Sequence, residues 1–292
     1  MESVAIIGAG ALGGALARRL AACGYGVEAV LSRTTARAQA LAAQVKAPVA
    51  SAALEDLPAE VRLVFCCVPD DAVGTVARAL GAVRSDWSGA TVVHTAGALT
   101  ASVLYPLGEQ GAARLSFHPL QTFTPASPPD VFEGIYVVLE GDAQAVALGA
   151  RVAGDLGAQS MTLAAEAKMR YHLAASMASN YFVTLMALVG EVLADAGIDR
   201  RKGAALMQPL VEGTWRNLIH HLPEDALTGP IARGDRHTVA AHLDALAAHL
   251  PHLIPVYAAL GAEAVRVAVR SGKLAPDDAQ QVLDTLYAAL ES

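Results

Sequence analysis

Ser3-Val4-Ala5-Ile6-Ile7 runs directly into Gly8-Ala9-Gly10-Ala11-Leu12-Gly13-Gly14, and then into Ala15-Leu16-Ala17-Arg18-Arg19-Leu20. An apolar strand, a GxGxxG turn and a helix, in that order, decide the fold, because each glycine meets a separate steric demand. Gly8 permits the tight turn out of the strand, Gly10 lets backbone amides approach a pyrophosphate, and Gly13 lets the helix pack closely on the sheet. A helix N-terminus, with its unpaired N–H groups and positive dipole end, favours an anion at that place. Gly8, Ala9, Gly10, Ala11, Leu12 and Gly13 are therefore the expected dinucleotide cradle. The competing reading is a plain tight turn between strand and helix; the flanking elements weigh against it.

The next strand, Gly26-Val27-Glu28-Ala29-Val30-Leu31, ends in Ser32-Arg33-Thr34. NAD-specific sites place Asp or Glu about 20 residues after the glycines, on the ribose 2′-hydroxyl. Ser32 occupies that region here, and Glu28 comes too early. Arg33 is a planar cation that can pair with a 2′-phosphate and stack on adenine, so Ser32, Arg33 and Thr34 point to NADP. The alternative for Arg33 is a surface residue at the start of a helix.

A chain of 292 residues can form one large or two modest domains. Charged residues are 17% against 54% hydrophobic, which argues for extensive burial rather than disorder. The formal charge of −7, without a basic cluster, argues against nucleic acid or an anionic membrane as partner. Cys23, Cys66 and Cys67 form neither a disulfide framework nor a zinc set, and no metal is expected. Cys66 and Cys67, consecutive in a strand, point to opposite faces. No secretory-type segment precedes the first strand, so the expected location is the cytoplasm. The stretch from Tyr171 to Gly190 lacks Asp, Glu, Lys and Arg and is long enough to span a bilayer. Its His172, Ser176, Ser179, Asn180 and Thr184 suit a helix buried in protein instead. Such a helix is too apolar to face water on both sides, which predicts a homodimer through the helical half.

Strands and helices alternate through the first half. Helices are expected over Thr35–Val45 and Ala143–Leu156, with strands near Pro48–Ala50, Val61–Val68, Ala90–His94, Ala113–Phe117, Gly134–Leu139 and Gln159–Leu163. Asp70, after Pro69, is the expected cap of the following helix. Alternation of this kind predicts an α/β doubly wound Rossmann domain over residues 1–163. Beyond Ala164 the strand signal vanishes, and residues 164–292 read as an all-α domain that carries substrate and dimer contacts.

In an open α/β sheet, ligands bind beyond the carboxyl ends of the strands. Val68-Pro69-Asp70, Thr95-Ala96-Gly97-Ala98 and Phe117-His118-Pro119-Leu120-Gln121 should converge there. On the first helix of the second half, Lys168, His172, Ser176 and Asn180 are four residues apart and form one slowly rotating stripe amid apolar neighbours. A cation and a histidine on a mostly apolar helix must be exposed, paired or functional. As a group they read as an active-site wall. Taken singly, Lys168 could lie in a solvated first turn, and Ser176 and Asn180 could bond neighbouring helices. Arg233, in the loop Thr228–Asp235, is a candidate carboxylate clamp or a surface charge beside an Asp235 cap.

The motifs VVHTAGA (92–98), FHPLQTF (117–123), KMRYHLAASMASNY (168–181), PLVEGTWRN (209–217) and LTGPIARGD (227–235) resemble a family of NADP-binding Rossmann proteins. Its helical second half is a domain of unknown function, and the resemblance covers essentially the whole chain. More distantly, the layout is similar to the β-hydroxyacid dehydrogenase superfamily, with its 6-phosphogluconate dehydrogenase and its ketopantoate, pyrroline-carboxylate and deazaflavin-dependent NADP reductases. In many of those enzymes a Lys on the first helix after the Rossmann domain exchanges the carbonyl proton, and Lys168 matches it. Several relatives carry Asn one turn later, where this chain has His172. His118-Pro119 resembles the His-Pro of prephenate dehydrogenases, whose histidine contacts substrate.

The resemblance implies NADP and an oxidoreductase architecture with a 6-phosphogluconate dehydrogenase-like helical domain. The expected activity is hydride exchange between NADP and a small, carboxylate-bearing oxo or hydroxy compound. Lys168 and His118 would supply the proton, His172 and Asn180 would orient it, and Gln121, Ser176 and Arg233 would hold substrate. The alternatives are an NADP(H)-binding sensor without turnover, and a reductase exchanging hydride with a second redox cofactor such as a deazaflavin.

Overall fold

The computed structural model describes residues 3–291. Its eight strands are β1 (Ser3–Ile7), β2 (Gly26–Leu31), β3 (Val49–Ser51), β4 (Leu63–Cys66), β5 (Thr91–His94), β6 (Ala113–Pro119), β7 (Tyr136–Gly141) and β8 (Gln159–Thr162). They form one sheet in the order β3-β2-β1-β4-β5-β6-β7-β8, parallel throughout except for the β6–β7 pair. β2 and β4 lie on opposite sides of β1, so the chain reverses direction across the sheet at the glycine turn. That is where a doubly wound sheet opens a crevice.

The helices α1 (Ala11–Ala22), α2 (Thr35–Val45), α3 (Asp70–Val83), the single turn α4 (Tyr105–Gly108) and α5 (Ala143–Asp155) cover the two faces. Alternate strand residues divide between two cores. Ile6, Val30, Phe65, Val93 and Leu115 pack with α1, α2 and α5, whereas Ile7, Leu31, Cys66 and Val92 pack with α3 and α4. Cys66 and Cys67 fall on opposite faces as period-2 alternation requires.

The second face changes character along one row. Ile7 pairs with Cys66, Cys66 with His94, His94 with Ser116, and Ser116 with Glu140. Directly paired residues share a face, so the row is apolar at β1 and β4 and polar from β5 to β7. His118, two residues beyond Ser116, continues this polar end, because β6 extends through His118 and Pro119 rather than stopping at Phe117.

Past β8, a helical stretch leads into α6 (Lys168–Ser176), a π-helical turn over Met177–Tyr181 and α7 (Phe182–Asp195). The chain divides into two compact units, Met1–Asn180 and Tyr181–Ser292, so α6 belongs with the sheet. The second unit continues with α8 (Arg200–His220), the single turn α9 (Pro223–Ala226), α10 (Arg236–His249), α11 (Ile254–Arg270) and α12 (Pro276–Glu291). Its core is made by α10, α11 and α12 with Ala232 and Leu274; Val239, Leu243, Ala258, Val265, Val282 and Leu286 are among its members. Asp199 caps α8 and Asp235 caps α10, each accepting backbone N–H bonds from the first turn.

Candidate active site

The glycine turn has the geometry its sequence implies. Gly8 sits at φ +107°, and a Cβ there would lie 2.2 Å from the Cys67 carbonyl oxygen. A Cβ on Gly13 would meet the Gly8 carbonyl oxygen at 2.0 Å. Gly10 differs: a Cβ on it would meet nothing within 4 Å, and the residue is exposed. Gly8 and Gly13 are thus glycine for the sake of the fold, and Gly10 borders open space. Gly10 is also the N-cap of α1 without a side-chain cap, so the Ala11, Leu12 and Gly13 amides face outward in the first turn. The open space at an uncapped helix start fits a pyrophosphate. At the end of β2, Ser32 donates its N–H to the Ser51 carbonyl at 2.9 Å, while Arg33 and Thr34 are exposed. Thr34 is the N-cap of α2.

Val68 and Pro69 follow β4. Asp70 is the first residue of α3 and not its cap; the cap position is Pro69, which has no side-chain acceptor. Proline's fixed φ suits the end of the extended segment, and Asp70 instead favours the helix dipole from the first turn. Cys67 lies beside the Gly13 position. Burial pushes its thiol up to about 12, against a hydrogen bond with Thr95 that opposes the shift. That bond links the glycine turn to the buried loop after β5.

Two residues after Thr95 stands Gly97, enclosed by imidazoles. A Cβ on Gly97 would fall 2.5 Å from His172 Nδ1 and 2.8 Å from His118 Nε2. The Nδ1 of His118 shares a 2.9 Å hydrogen bond with the Tyr171 hydroxyl. The buried Nδ1 of His172 and the buried Nε2 of His94 have no hydrogen-bond partner of normal geometry. His94 Nδ1 accepts the Ala96 N–H at 3.2 Å, which leaves the proton of its neutral form on Nε2.

Lys168 is 1% exposed and its ammonium donates to the Ser116 hydroxyl. Burial pulls its pKa down to about 8, against the opposing pull of the Glu140 and Asp70 carboxylates. Burial, then the Lys168 charge, then His172 push His118 down to about 4. Burial and Lys168 take His94 down to about 3. Burial raises the Tyr171 phenol to about 12. At neutral pH the site therefore holds one acidified ammonium beside the neutral imidazoles of His94 and His118 and a protonated phenol.

Lys168, His118 and His172 are brought together as the sequence stripe and the strand end suggest. Ser176 is half-buried, and Asn180 is exposed beyond the start of the π-helical turn, where the four-residue stripe changes pitch. Gln121 is exposed, with its Oε1 accepting the Thr122 N–H at 2.8 Å. Arg233 belongs to the second unit, exposed just before the Asp235 cap. Sequence reasoning missed Ser116, Tyr171 and Glu140. Ser116 was discoverable, since period-2 alternation puts it on the face of His118; Glu140 depends on an antiparallel register that carries no local signal. Among the described residues no His, Cys, Asp and Glu group could hold a metal.

Residues 1–119 match a Rossmann-like domain, and residues 135–264 match a domain of unknown function, DUF2520. Among solved structures, a protein of Bacteroides fragilis assigned as an NADP oxidoreductase is 27% identical, with a TM-score of 0.76 over 90% of this chain and 97% of that one. A protein from Thermotoga maritima is 26% identical, with a TM-score of 0.69 over 91% of this chain and 98% of that one. A reductive aminase from Aspergillus terreus, 16% identical, shares the fold with a TM-score of 0.63 over 100% of this chain and 94% of that one. No curated protein matches the sequence.

Proposed function

We propose that this protein is an NADP-dependent oxidoreductase that interconverts a small oxo compound and its hydroxy form, with a carboxylate on the substrate. The observation that carries the reading is the buried, acidified Lys168 ammonium beside neutral His118, joined to the glycine cradle through Cys67, Thr95 and Gly97. The Bacteroides fragilis protein, assigned as an NADP oxidoreductase, supports the general activity. A cytoplasmic location agrees with the free thiols of Cys23, Cys66 and Cys67.

The Gly10 opening and the Ala11, Leu12 and Gly13 amides would hold the pyrophosphate, with the 2′-phosphate against Ser32, Arg33 and Thr34. Val68, Pro69, Asp70 and Thr95 would border the other half of the cofactor. NADPH, when bound, supplies a hydride to the carbonyl carbon. Negative charge then grows on the substrate oxygen, and Lys168 gives that oxygen a proton. An ammonium with a pKa near 8 is still mostly charged at neutral pH, yet far more acidic than an ordinary lysine. The Ser116 hydroxyl keeps the amine in place before and after the transfer. His118, neutral and held through Nδ1 by Tyr171, presents Nε2 toward Gly97 as a hydrogen-bonding group for substrate. The protein thus adds one proton and one hydride to a C=O bond, and the reverse direction removes them.

An NADPH-oxidation screen over 2-oxo and 3-oxo acids tests the reading. With a substrate in hand, Lys168→Ala and His118→Ala should each lower kcat by about 10²–10³ while NADPH affinity is kept. Wild-type turnover by both variants would reject the assignment.

A further inference from the structure

Glu140 takes no part in the proton transfer described above, yet its carboxylate sits where two parts of the site meet. Side chains alternate along β7, so Val138 and Glu140 share a face, and they pair directly with His118 and Ser116 of β6. Ser116 is the residue to which the Lys168 ammonium donates. The antiparallel register thus brings a half-buried carboxylate to the neighbourhood of the buried cation.

A backbone group already fixes this carboxylate. Glu140 Oε2 accepts the Ala101 N–H at 2.7 Å. Ala101 opens the 3₁₀ turn Ala101–Leu104, whose first amides find no partner within the turn. Thr100 holds the cap position without making a side-chain cap, and its hydroxyl bonds that of Ser102 at 2.6 Å. β7 therefore supplies the acceptor that the turn lacks. At the other end of the same loop the Ala96 N–H goes to His94 Nδ1. His94, Ser116 and Glu140 lie in one row of the sheet, so both ends of the loop that carries Gly97 are tied to that row.

Charge gives the same residue a second role. The Lys168 hydrogen bond goes to Ser116, so Glu140 acts on the ammonium through space, ahead of Asp70 at the exposed start of α3. His94 of β5, at about 3, His118 of β6, at about 4, and Tyr171 of α6, at about 12, carry no charge around pH 8. Arg114, another cation that feels Glu140, is engaged by Asp142 through bonds of 3.1 and 2.8 Å. An opposite charge favours the charged form of its neighbour, and burial opposes it. Without the Glu140 charge, burial would draw the Lys168 proton off at a lower pH.

We infer that Glu140 is a positioning residue of this site: one carboxylate seats the loop 95–100 against β7 and serves as counter-charge to the Lys168 ammonium on Ser116. Its bearing on turnover rests on Lys168 being the proton donor; its two structural roles do not.

The test reads the lysine directly, by NMR of the full chain isotope-labelled at lysine Cε. Signals arise from Lys46, Lys168, Lys202 and Lys273, and that of Lys168 is the one missing in Lys168→Met. It should titrate near pH 8 in the wild type and at least about half a pH unit lower in Glu140→Gln. Glu140→Asp keeps the charge and should titrate closer to the wild type. Asp70→Asn, at an exposed site, should move the midpoint less than Glu140→Gln does. Glutamine keeps an acceptor for Ala101, so the Ala101 amide should exchange about tenfold faster in Glu140→Ala than in wild type or Glu140→Gln. A thermal melt and an NADPH titration on each variant separate these effects from loss of fold. An unchanged Lys168 midpoint in Glu140→Gln overturns the inference, as does a larger shift in Asp70→Asn or equal Ala101 exchange in all three proteins. Should the midpoint move while the alkaline fall of kcat stays in place, the donor reading fails and the inference stands.

Discussion

Replacing Lys168 by methionine isolates the burial of one charge, because the two side chains are similar in length and only one titrates. Lys168 is held at a pKa of about 8, against 10.5 for the free group. The sign follows from proton linkage. Between these values the unfolded chain binds more protons than the folded one, so stability rises with pH, and below about pH 8 the full cost of the buried charge is present. At 1.36 kcal/mol per unit, that cost is about 3 kcal/mol at pH 7 and falls below about 1 kcal/mol by pH 10. The quantity to measure is the unfolding free energy of wild type minus that of Lys168→Met, from urea titrations at pH 7, 8, 9 and 10. His118 and His94, whose low pKa values include the effect of the Lys168 charge, stay neutral from pH 7 to pH 10, and the fixed cost of leaving Ser116 without its donor cancels from the pH dependence of that difference. It should climb in favour of wild type by about 2–3 kcal/mol from pH 7 to pH 10. A difference that stays flat would mean Lys168 is solvated or fully compensated, and the acidified proton donor would be lost from the account.

The same pKa sets the pH dependence of turnover. In the reducing direction kcat should fall above about pH 8 as the Lys168 proton is lost, and rate profiles with a saturating substrate check this; a rate level to pH 10 speaks against Lys168 as donor. Arg33→Asp should weaken NADPH by about 10²-fold or more and NADH far less, as calorimetry of both cofactors would show; equal losses would mean Arg33 does not read the phosphate. Gly97→Ala places a methyl 2.5 Å from His172 Nδ1 and 2.8 Å from His118 Nε2. It should displace both rings and lower kcat by at least tenfold with NADPH affinity unchanged; normal turnover in this variant would detach the histidine pair from catalysis.

The parts of this fold that were legible in the sequence are those fixed by local sterics. The β1–turn–α1 segment, the bounds of β2 and α2, and the loss of strands after β8 all follow from glycine geometry and hydrophobic period. The end of β6 was less legible, because Pro119 reads as a breaker; it sits at the last strand position, where a missing N–H is tolerated. Asp70 read as a cap because Asp is a strong one, but one residue of offset makes Pro69 the cap position. Within the site, Lys168 and His118 stood out as polar groups at an apolar helix and a strand end. Glu140 became a neighbour only through the antiparallel pairing of β7 with β6, a long-range choice that no local window contains. Neither could the sequence show that Lys168 is sealed from water, since its burial depends on where α6 lies over Ser116.

Gly10 offers the most direct test of the central claim that the glycine turn holds a dinucleotide. Its backbone is in an ordinary extended conformation, φ −84° and ψ −168°, and a Cβ there would touch nothing in the protein. Gly10→Val should therefore melt within a degree or two of wild type, while a calorimetric NADPH titration shows one site per wild-type chain and at least a 10²-fold weaker one in the variant. Equal NADPH binding by both proteins, or no binding by the wild type, would contradict the account.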